Sequence, residues 1–232
     1  MNKFYSVAID GPSGAGKSSL AKQVAKEFGF IYVDTGAIYR TVGLAAFRAG
    51  INRKDENEVG AILPTLEIKM GYNDEGEQRM YLNGEDVSTA IRMPEISMCA
   101  SDVSALPAVR AYLLEMQRKM ARENNVIMDG RDIGTVVLPD ADLKIFLTAS
   151  AEARANRRML QLEQSGVPAD FNEVLSDIIK RDEQDMNRAT APLREAEDAV
   201  HADTTELNKE ESFRLLCDII VNKLSLVTED KD

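Results

Sequence analysis

Residues 4–28 have the sequence FYSVAIDGPSGAGKSSLAKQVAKEF, which carries the strongest indication of the fold class. Residues 4–9 are a short apolar run, which predicts a buried strand. After a glycine-rich loop, Leu20, Val24 and Phe28 recur at every fourth residue, and Gly29 follows in the C-cap position. This spacing predicts a helix with one apolar face. The chain therefore opens with a strand, a glycine-rich loop and a helix.

The loop of residues 11–18 matches the pattern G-x-x-x-x-G-K-[ST]. Its glycines let backbone N–H groups turn around phosphate oxygens, and the positive end of the following helix points at them. Lys17 is expected to reach the β- and γ-phosphates of a nucleotide, and the Ser18 hydroxyl to help hold Mg²⁺. The competing interpretation is a glycine-rich turn with an exposed lysine. The nucleotide-binding residues that we predict are Gly11, Pro12, Ser13, Gly14, Ala15, Gly16, Lys17, Ser18 and Ser19.

Strand and helix patterns alternate along most of the chain. Further strands are predicted at residues 30–33, 126–128 and 143–147, with a short one near 199–202. Helical patterns lie between them, and the last helix has Phe213, Leu216, Ile220 and Leu224 at helical spacing. This alternation predicts an α/β fold with a five-stranded parallel sheet that is covered by helices on both faces.

One segment breaks the alternation. Residues 66–72 and 77–82 read as strands, with a turn at NDEG, residues 73–76, and a second turn at Asn83-Gly84. We interpret it as a small antiparallel insert.

Composition excludes several classes of protein. The chain has 232 residues, a formal net charge of −11 and a pI of 4.8, which disfavour a nucleic-acid binder or a protein attracted to anionic lipid. An anionic substrate must therefore be bound by a local cluster of arginines. One histidine and two distant cysteines exclude a Cys/His metal site. Neither a signal peptide nor a membrane span is recognisable, so we expect a cytoplasmic protein.

Two polar motifs directly follow predicted strands. Ligands bind at the carboxyl ends of the strands in parallel sheets. After the second strand comes DTGAIYR, in which Thr35 and Arg40 are candidates for binding an acceptor phosphate. After the third comes DGRD, in which Asp129 is placed to bind Mg²⁺ and Arg131 to bind the acceptor phosphate. Taken alone, each phrase is also compatible with a simple turn that carries a surface arginine or a local Asp–Arg pair.

Two polar helices between residues 151 and 188 are rich in arginine and are split near Gly166 and Pro168. Arg154, Arg157 and Arg158 share one helix face, as do Arg181, Asp185 and Arg188. Such helices are typical of a mobile lid over phosphates, although either one alone is more often a solvated, salt-bridged helix. Ser101 and Arg110, beside the break at Pro107, read as ordinary helix residues when taken alone.

The chain resembles the bacterial cytidylate kinases, in the longer form with an enlarged nucleotide-binding insert. The phrases IDGPSGAGKSS, DTGAIYR, DGRDIGTVV, KIFLTAS, RRMLQL and RDEQDMNRA occur in the family's order, from about Val7 to Asp203. Thr35 stands where a serine is also common in the family, and the hydroxyl is kept.

The resemblance implies the fold of the P-loop nucleoside monophosphate kinases and transfer of the γ-phosphoryl group from ATP, with Mg²⁺, to CMP or dCMP. It implies one kinase domain, 1–232: a core (about 1–62, 96–150 and 189–232), an acceptor-binding insert (about 63–95) and a lid (about 151–188). It further implies a monomer without nucleic-acid or membrane partners. By this resemblance, catalysis would depend on Lys17, Asp129, Arg131 and Arg188. The metal would be bound by Ser18 and Asp129, and ATP by Arg157 and Arg158. The acceptor would be bound by Thr35, Arg40, Ser101, Arg110, Arg131, Asp132, Arg181, Asp185 and Arg188.

Two other functions are also compatible with the phosphate loop. A phosphate-loop kinase for UMP, AMP or shikimate would share the same core, and a panel of acceptors separates these enzymes. A non-catalytic ATP-dependent module would bind ATP without acceptor-stimulated turnover. No Asn-Lys-x-Asp guanine-binding motif is present in the sequence, which disfavours a GTPase.

Overall fold

The computed structural model describes residues 4–75 and 77–225. The chain divides into two compact units: the first unit comprises residues up to Tyr32 together with those from Glu123 onward, and the second unit comprises Val33–Arg122. The strands are β1 (Ser6–Asp10), β2 (Ile31–Asp34), β3 (Ile68–Tyr72), β4 (Gln78–Leu82), β5 (Glu85–Asp86), β6 (Val126–Gly130), β7 (Leu143–Thr148) and β8 (Val200–Asp203).

The chain has eight α-helices among the residues that the structure describes. They are α1 (Lys17–Phe28), α2 (Thr35–Arg48), α3 (Glu56–Ile62), α4 (Pro94–Ser104), α5 (Pro107–Glu123), α6 (Ala151–Gln164), α7 (Phe171–Asn187) and α8 (Lys209–Leu224). Short 3₁₀ turns lie at Leu63–Thr65 and Ala90–Arg92, and a π-helical turn lies at Ile133–Val137. In the described part of the chain, no helix is both long and apolar enough to cross a bilayer.

The first unit is built on a five-stranded parallel sheet in the order β2-β6-β1-β7-β8. The apolar strand β1 lies in its middle, with Ile9 beside Asp129 of β6 and Ile145 of β7. The core of this unit joins the sheet to α1 and α8, through side chains such as Leu20 and Leu216. Because the strands are parallel, β1 and β6 end at the same edge, and this edge presents the residues that follow them.

The second unit contains the three-stranded antiparallel sheet β3-β4-β5 and helices α2 to α5. Helix α2 packs closely on α4: a Cβ atom at Gly43 would lie 2.9 Å from the backbone nitrogen of Ala100. Strand β4 supports the start of α2, since the Gln78 side chain accepts a 2.8 Å hydrogen bond from the Asp34 N–H.

The predicted α/β fold, the parallel sheet and the antiparallel strands near residues 66–82 are confirmed. The first strand begins at Ser6 rather than at residue 4, because the Tyr5 N–H is bound by the Asn125 side chain and Phe4 is exposed. Helix α2 ends at Arg48, two residues before Gly50. Helix α3 and strand β5 were not predicted. The predicted turn at 73–76 includes residue 76, which lies outside the described residues. The predicted domain 1–232 likewise includes residues 1–3 and 226–232, which are not described. The division into core, insert and lid stays a prediction.

Candidate active site

The phosphate loop connects β1 to α1 in the first unit. Its backbone requires glycine at Gly11, where φ is +150° and a Cβ atom would lie 2.0 Å from the Leu147 carbonyl oxygen. Helix α1 begins at Lys17 with Gly16 as its N-cap, and its first turn holds no acidic residue. Because glycine supplies no capping side chain, the first N–H groups of α1 are available to an anion.

Lys17 is buried within this loop, and its Nζ atom donates a 2.7 Å hydrogen bond to the Pro12 carbonyl. Burial holds the pKa of the ammonium well below its ordinary value, and the neighbouring Arg131 lowers it further. Asp129, Asp10 and Asp185 act electrostatically in the opposite direction. Lys17 therefore lies among the charged side chains at the ends of β1 and β6. A phosphate bound there would add negative charge, which favours the charged form of the lysine.

Asp129 accepts hydrogen bonds from the start of α1 and from β2. The Ser18 hydroxyl donates to one of its carboxylate oxygens at 2.7 Å, and the Tyr32 hydroxyl donates to the other at 2.8 Å. Asp129 itself is buried. A carboxylate and a hydroxyl at this separation are hard oxygen donors of the kind that bind Mg²⁺ together with phosphate oxygens and water. The residues present therefore fit the metal that sequence reasoning placed here.

Asp10 is a site residue that sequence reasoning missed. Its carboxylate is buried at the end of β1 and accepts hydrogen bonds from the N–H groups of Ile133 (2.8 Å) and Gly134 (2.7 Å). Burial raises its pKa to about 6, although the two N–H groups oppose this shift. Asp10 thus fixes the π-helical turn that follows Arg131 and Asp132. The available signal was an aspartate placed directly between an apolar strand and the phosphate loop.

The end of β6 and helix α7 are joined by two ion pairs. Arg131 donates through Nε to Asp185 at 2.7 Å, and Arg188 donates through Nη2 to Asp132 at 3.2 Å. All four were predicted as acceptor-binding residues from two separate sequence phrases, and the structure brings them together. Arg181 is exposed on α7.

The three arginines of α6 differ in their surroundings. Arg154 is buried against the phosphate loop and α7. Arg157 donates to the backbone carbonyls of Thr204 and Leu207 and lines a cavity of about 470 Å³ between α6 and the loop before α8. Arg158 is exposed and contacts Gln161 of its own helix. The spacing predicts one shared helix face, but the three side chains differ in exposure: one arginine is buried, one is half-buried and one is exposed.

In the second unit, the predicted acceptor residues lie on α2, α4 and α5. Thr35 is buried, and Arg40 forms a 2.7 Å ion pair with Asp34. The Nε atom of Arg40 is buried and has no hydrogen-bond partner among the residues that the structure describes. Arg110 lies over the ring of Tyr39, with its Cζ atom 5.6 Å from the ring centroid. Ser101 is exposed on α4, which packs against α2.

Comparison with known proteins decides the family. The family model described as "Cytidylate kinase" matches residues 7–224. The chain belongs to the cytidylate kinase family. Membership makes the protein a kinase, an ATP-dependent phosphotransferase, as the resemblance implied.

Its relatives in the family cover nearly the whole chain. Proteins named cytidylate kinase from Caldicellulosiruptor bescii and Carboxydothermus hydrogenoformans are each 49% identical over 94% of this chain, and cover 96% and 97% of their own lengths. The cytidylate kinase of Syntrophotalea carbinolica is 43% identical over 100% of this chain and 98% of its own. Among solved structures, shikimate kinase from Bacteroides thetaiotaomicron matches 96% of this chain and 99% of its own, with 15% identity and a TM-score of 0.45. Because that score is low, the choice of acceptor rests on the sequence relatives.

Proposed function

We propose that the side chains described above carry out the reaction of this family: transfer of the γ-phosphoryl group of ATP to CMP or dCMP, giving CDP or dCDP and ADP. The observation that carries the proposal is the position of Lys17, which lies in the phosphate loop and interacts electrostatically with both Asp129 and Arg131. A donor loop, a metal carboxylate and an acceptor arginine thereby meet within the first unit. The acceptors UMP, AMP and shikimate are not favoured by the relatives.

The donor is bound, in this proposal, by residues 11–19 and by Arg157 and Arg158. The N–H groups at the start of α1 and the Lys17 ammonium hold the phosphates, as helix N-termini and lysines do in phosphate loops. The cavity beside Arg157, of about 470 Å³, leaves room for the nucleoside part of ATP. Ser18 and Asp129 hold Mg²⁺, which when bound neutralises charge on the β- and γ-phosphate oxygens.

The proposed acceptor-binding residues fall into two groups. In the second unit, the unpartnered Nε atom of Arg40 and the buried hydroxyl of Thr35 are suited to a phosphate, and Ser101 and Arg110 complete the set. In the first unit, Arg131, Asp132, Asp185 and Arg188 form paired groups, beside the exposed Arg181. The pairs keep each arginine oriented and half-buried until a phosphate competes for it.

The chemistry follows from this charge arrangement. An oxygen of the acceptor phosphate attacks the γ-phosphorus of ATP, and the bond from that phosphorus to the β-phosphate oxygen breaks, which releases ADP. The transition state spreads negative charge over the equatorial oxygens, so positioning and positive charge are the main requirements. Lys17, Arg131 and Arg188 supply that charge. No covalent nucleophile on the protein is needed for this reaction.

Three further features belong to the same proposal. The segment of residues 151–188 acts as a lid, which is supported by the polar character of α7, none of whose residues 171–187 is buried. The protein acts as a cytoplasmic monomer, and the free thiols of Cys99 and Cys217 fit a reducing compartment. It has no nucleic-acid or membrane partner, in keeping with its net charge of −11.

A coupled assay of ADP release tests the function directly. The purified protein is given Mg-ATP with CMP, dCMP, UMP, AMP or shikimate in turn, and ADP formation is followed through pyruvate kinase and lactate dehydrogenase. We expect CMP and dCMP to give the highest kcat/KM. A higher value for another acceptor would reassign the substrate, and ATP binding without acceptor-stimulated turnover would indicate a non-catalytic module.

A further inference from the structure

Arg154 donates hydrogen bonds to three separate segments of the chain. It is buried near the start of α6, and each of its guanidinium nitrogens donates a hydrogen bond. Nε binds the Ala149 carbonyl at 2.9 Å, and Nη1 binds the Ser13 carbonyl at 3.0 Å. Nη1 and Nη2 bind the two carboxylate oxygens of Asp182, at 3.0 and 2.6 Å. One side chain therefore holds the phosphate loop and α7 at once.

The contact with the phosphate loop is both polar and apolar. Ser13 and Gly14 belong to the loop whose N–H groups are proposed to bind ATP. A Cβ atom at Gly14 would lie 3.5 Å from the Cβ of Arg154, so the loop backbone rests against the arginine stem. A change in the loop on nucleotide binding therefore reaches the Arg154 guanidinium directly.

The contact with α7 extends to the acceptor side. Asp182 and Asp185 are three residues apart and lie on one helix face. Asp182 accepts from Arg154, whereas Asp185 accepts from Arg131 at 2.7 Å. None of the residues of α7 is fully buried, and these ion pairs are among the contacts that hold the helix against the phosphate loop and the end of β6. Arg154 thus connects Ser13 to Asp182, Asp185 is bound by Arg131, and one turn of α7 joins the two aspartates.

We infer that Arg154 and Asp182 are positioning residues that tie α7, and through it Arg131, to the phosphate loop, so that ATP and the acceptor bind cooperatively. The inference rests on the proposed function, because it takes the loop as the ATP site and Arg131 as an acceptor residue. The two-pronged pairing of an arginine with a carboxylate fixes orientation as well as distance. A rigid connection of this kind lets occupancy of one site favour the bound arrangement of the other.

Calorimetric titration measures the cooperativity without turnover. CMP is titrated into the protein with and without Mg²⁺ and a non-hydrolysable ATP analogue, and the ratio of the two dissociation constants is the coupling factor. For the wild type we expect a factor in the usual range of about 5 to 150. For Asp182→Asn, which keeps the shape but loses the charge, we expect a factor at least about fivefold smaller. Asp182→Glu keeps the carboxylate but displaces it by one methylene, and should also reduce the factor.

Hydrogen exchange gives a second readout. The ATP analogue alone should slow amide exchange in residues 171–187 of the wild type but leave it unchanged in Asp182→Asn. The matched control is Glu210→Gln, which removes an exposed arginine pairing on α8, that of Arg214 with Glu210. This variant should keep the wild-type coupling factor and the wild-type exchange pattern.

Several results would overturn the inference: a wild-type factor of one, an unchanged factor in both Asp182 variants, or variants that bind CMP more weakly by the same factor with and without the analogue. Failure of the proposed function is a separate result. It would be the absence of CMP phosphorylation by the wild type in the coupled assay, whereas the coupling factor is a binding measurement.

Discussion

The Ser18 hydroxyl and the Asp129 carboxylate, 111 positions apart in the chain, are joined by a 2.7 Å hydrogen bond. The bond exists because β1 and β6 are parallel neighbours that end at the same edge of the sheet. Tyr32 donates to the second carboxylate oxygen of Asp129 and so fixes the plane of the carboxylate.

Tyr32→Phe should weaken the metal site without removing a ligand. Loss of a partner that orients a metal ligand typically lowers metal affinity by about 10- to 100-fold. The concentration of free Mg²⁺ that gives half-maximal activity should therefore rise about tenfold, measured at saturating CMP and ATP. Tyr5→Phe, a change outside the site, is the control. An unchanged Mg²⁺ requirement in Tyr32→Phe would show that Tyr32 does not orient Asp129 for the metal.

Lys17→Ala should lower kcat by roughly 10²–10³-fold, the usual effect of losing one preorganised charge donor at the transferring group. Stability to urea should not fall in proportion, because burial already disfavours the charged amine and lowers its pKa. Both quantities are measured on the same preparation. Lys26→Ala, an exposed position on the same helix, should keep full activity. Near-normal turnover of Lys17→Ala with CMP would show that this lysine does not contact the phosphates.

Asp132→Ala should narrow the preference for CMP over UMP. The exocyclic amine of cytosine donates a hydrogen bond where uracil presents an acceptor, so a carboxylate favours cytosine. Each buried acceptor left opposite another costs about 1–3 kcal/mol, and two such pairs give discrimination on the order of 10² to 10⁴. Of the two candidates, Ser101 and Asp132, the carboxylate should dominate. We expect kcat/KM for CMP to fall sharply and that for UMP to change little.

Arg188→Ala is the comparison variant for this measurement. Arg188 is hydrogen-bonded to Asp132, but it is proposed to bind phosphate, which CMP and UMP share. Its loss should lower kcat/KM for both substrates by a similar factor. If Asp132→Ala behaves in the same way as Arg188→Ala, Asp132 orients the arginine and the base is recognised elsewhere.

Asp10→Asn should change how stability depends on pH. The pKa of Asp10 is raised from 3.8 to about 6 by burial, with Asp132 raising it further and the two N–H groups and Lys17 opposing. Between about pH 4 and about pH 6, the Asp10 carboxyl group keeps its proton in the folded wild type but loses it in the unfolded chain. The free energy of unfolding of the wild type therefore falls as pH rises through this range. Relative to the variant, the wild type should lose on the order of 3 kcal/mol of unfolding free energy over that range.

Urea unfolding of both proteins at several pH values between 4 and 7 measures this difference. The hydrogen-bonding change from carboxylate to amide shifts the whole curve but does not alter its slope with pH. Parallel curves for wild type and variant would mean that Asp10 titrates as an ordinary carboxyl group.

Gly11→Ala should be far more destabilising than Gly29→Ala. At Gly11 the added Cβ atom would meet a backbone oxygen at 2.0 Å, and that oxygen belongs to β7, an inner strand of the sheet. At Gly29, φ is +65° and no atom lies within 4 Å, so the cost is only that of a left-handed residue, about 1–2 kcal/mol. Thermal denaturation of both variants gives the comparison. Equal losses would show that the loop can move away from β7.

The sequence predicted the strands and helices closely where periodicity was strong. The apolar runs of β1, β6 and β7 and the spacing of Leu20 and Val24 in α1 depend on local pattern alone, and the structure confirms these elements. Helix α3 was missed because it is short, and Val59 is the one residue that it buries. The buried role of Asp10 was missed because its partners lie more than 120 residues away.

The parallel α/β architecture, the phosphate loop and the residue types that phosphate chemistry requires could be predicted from the sequence alone, because each follows from periodicity or from contiguous motifs. Which charges pair with each other depends on the tertiary structure. Arg131 and Asp185 are 54 residues apart, and Arg154 and Asp182 are 28 apart. Spacing places Arg154, Arg157 and Arg158 on one helix face, but burial separates them, because it depends on what the rest of the fold brings against each position. Ion pairing and burial are properties of the surroundings of a side chain, and those surroundings exist only once distant segments have packed together.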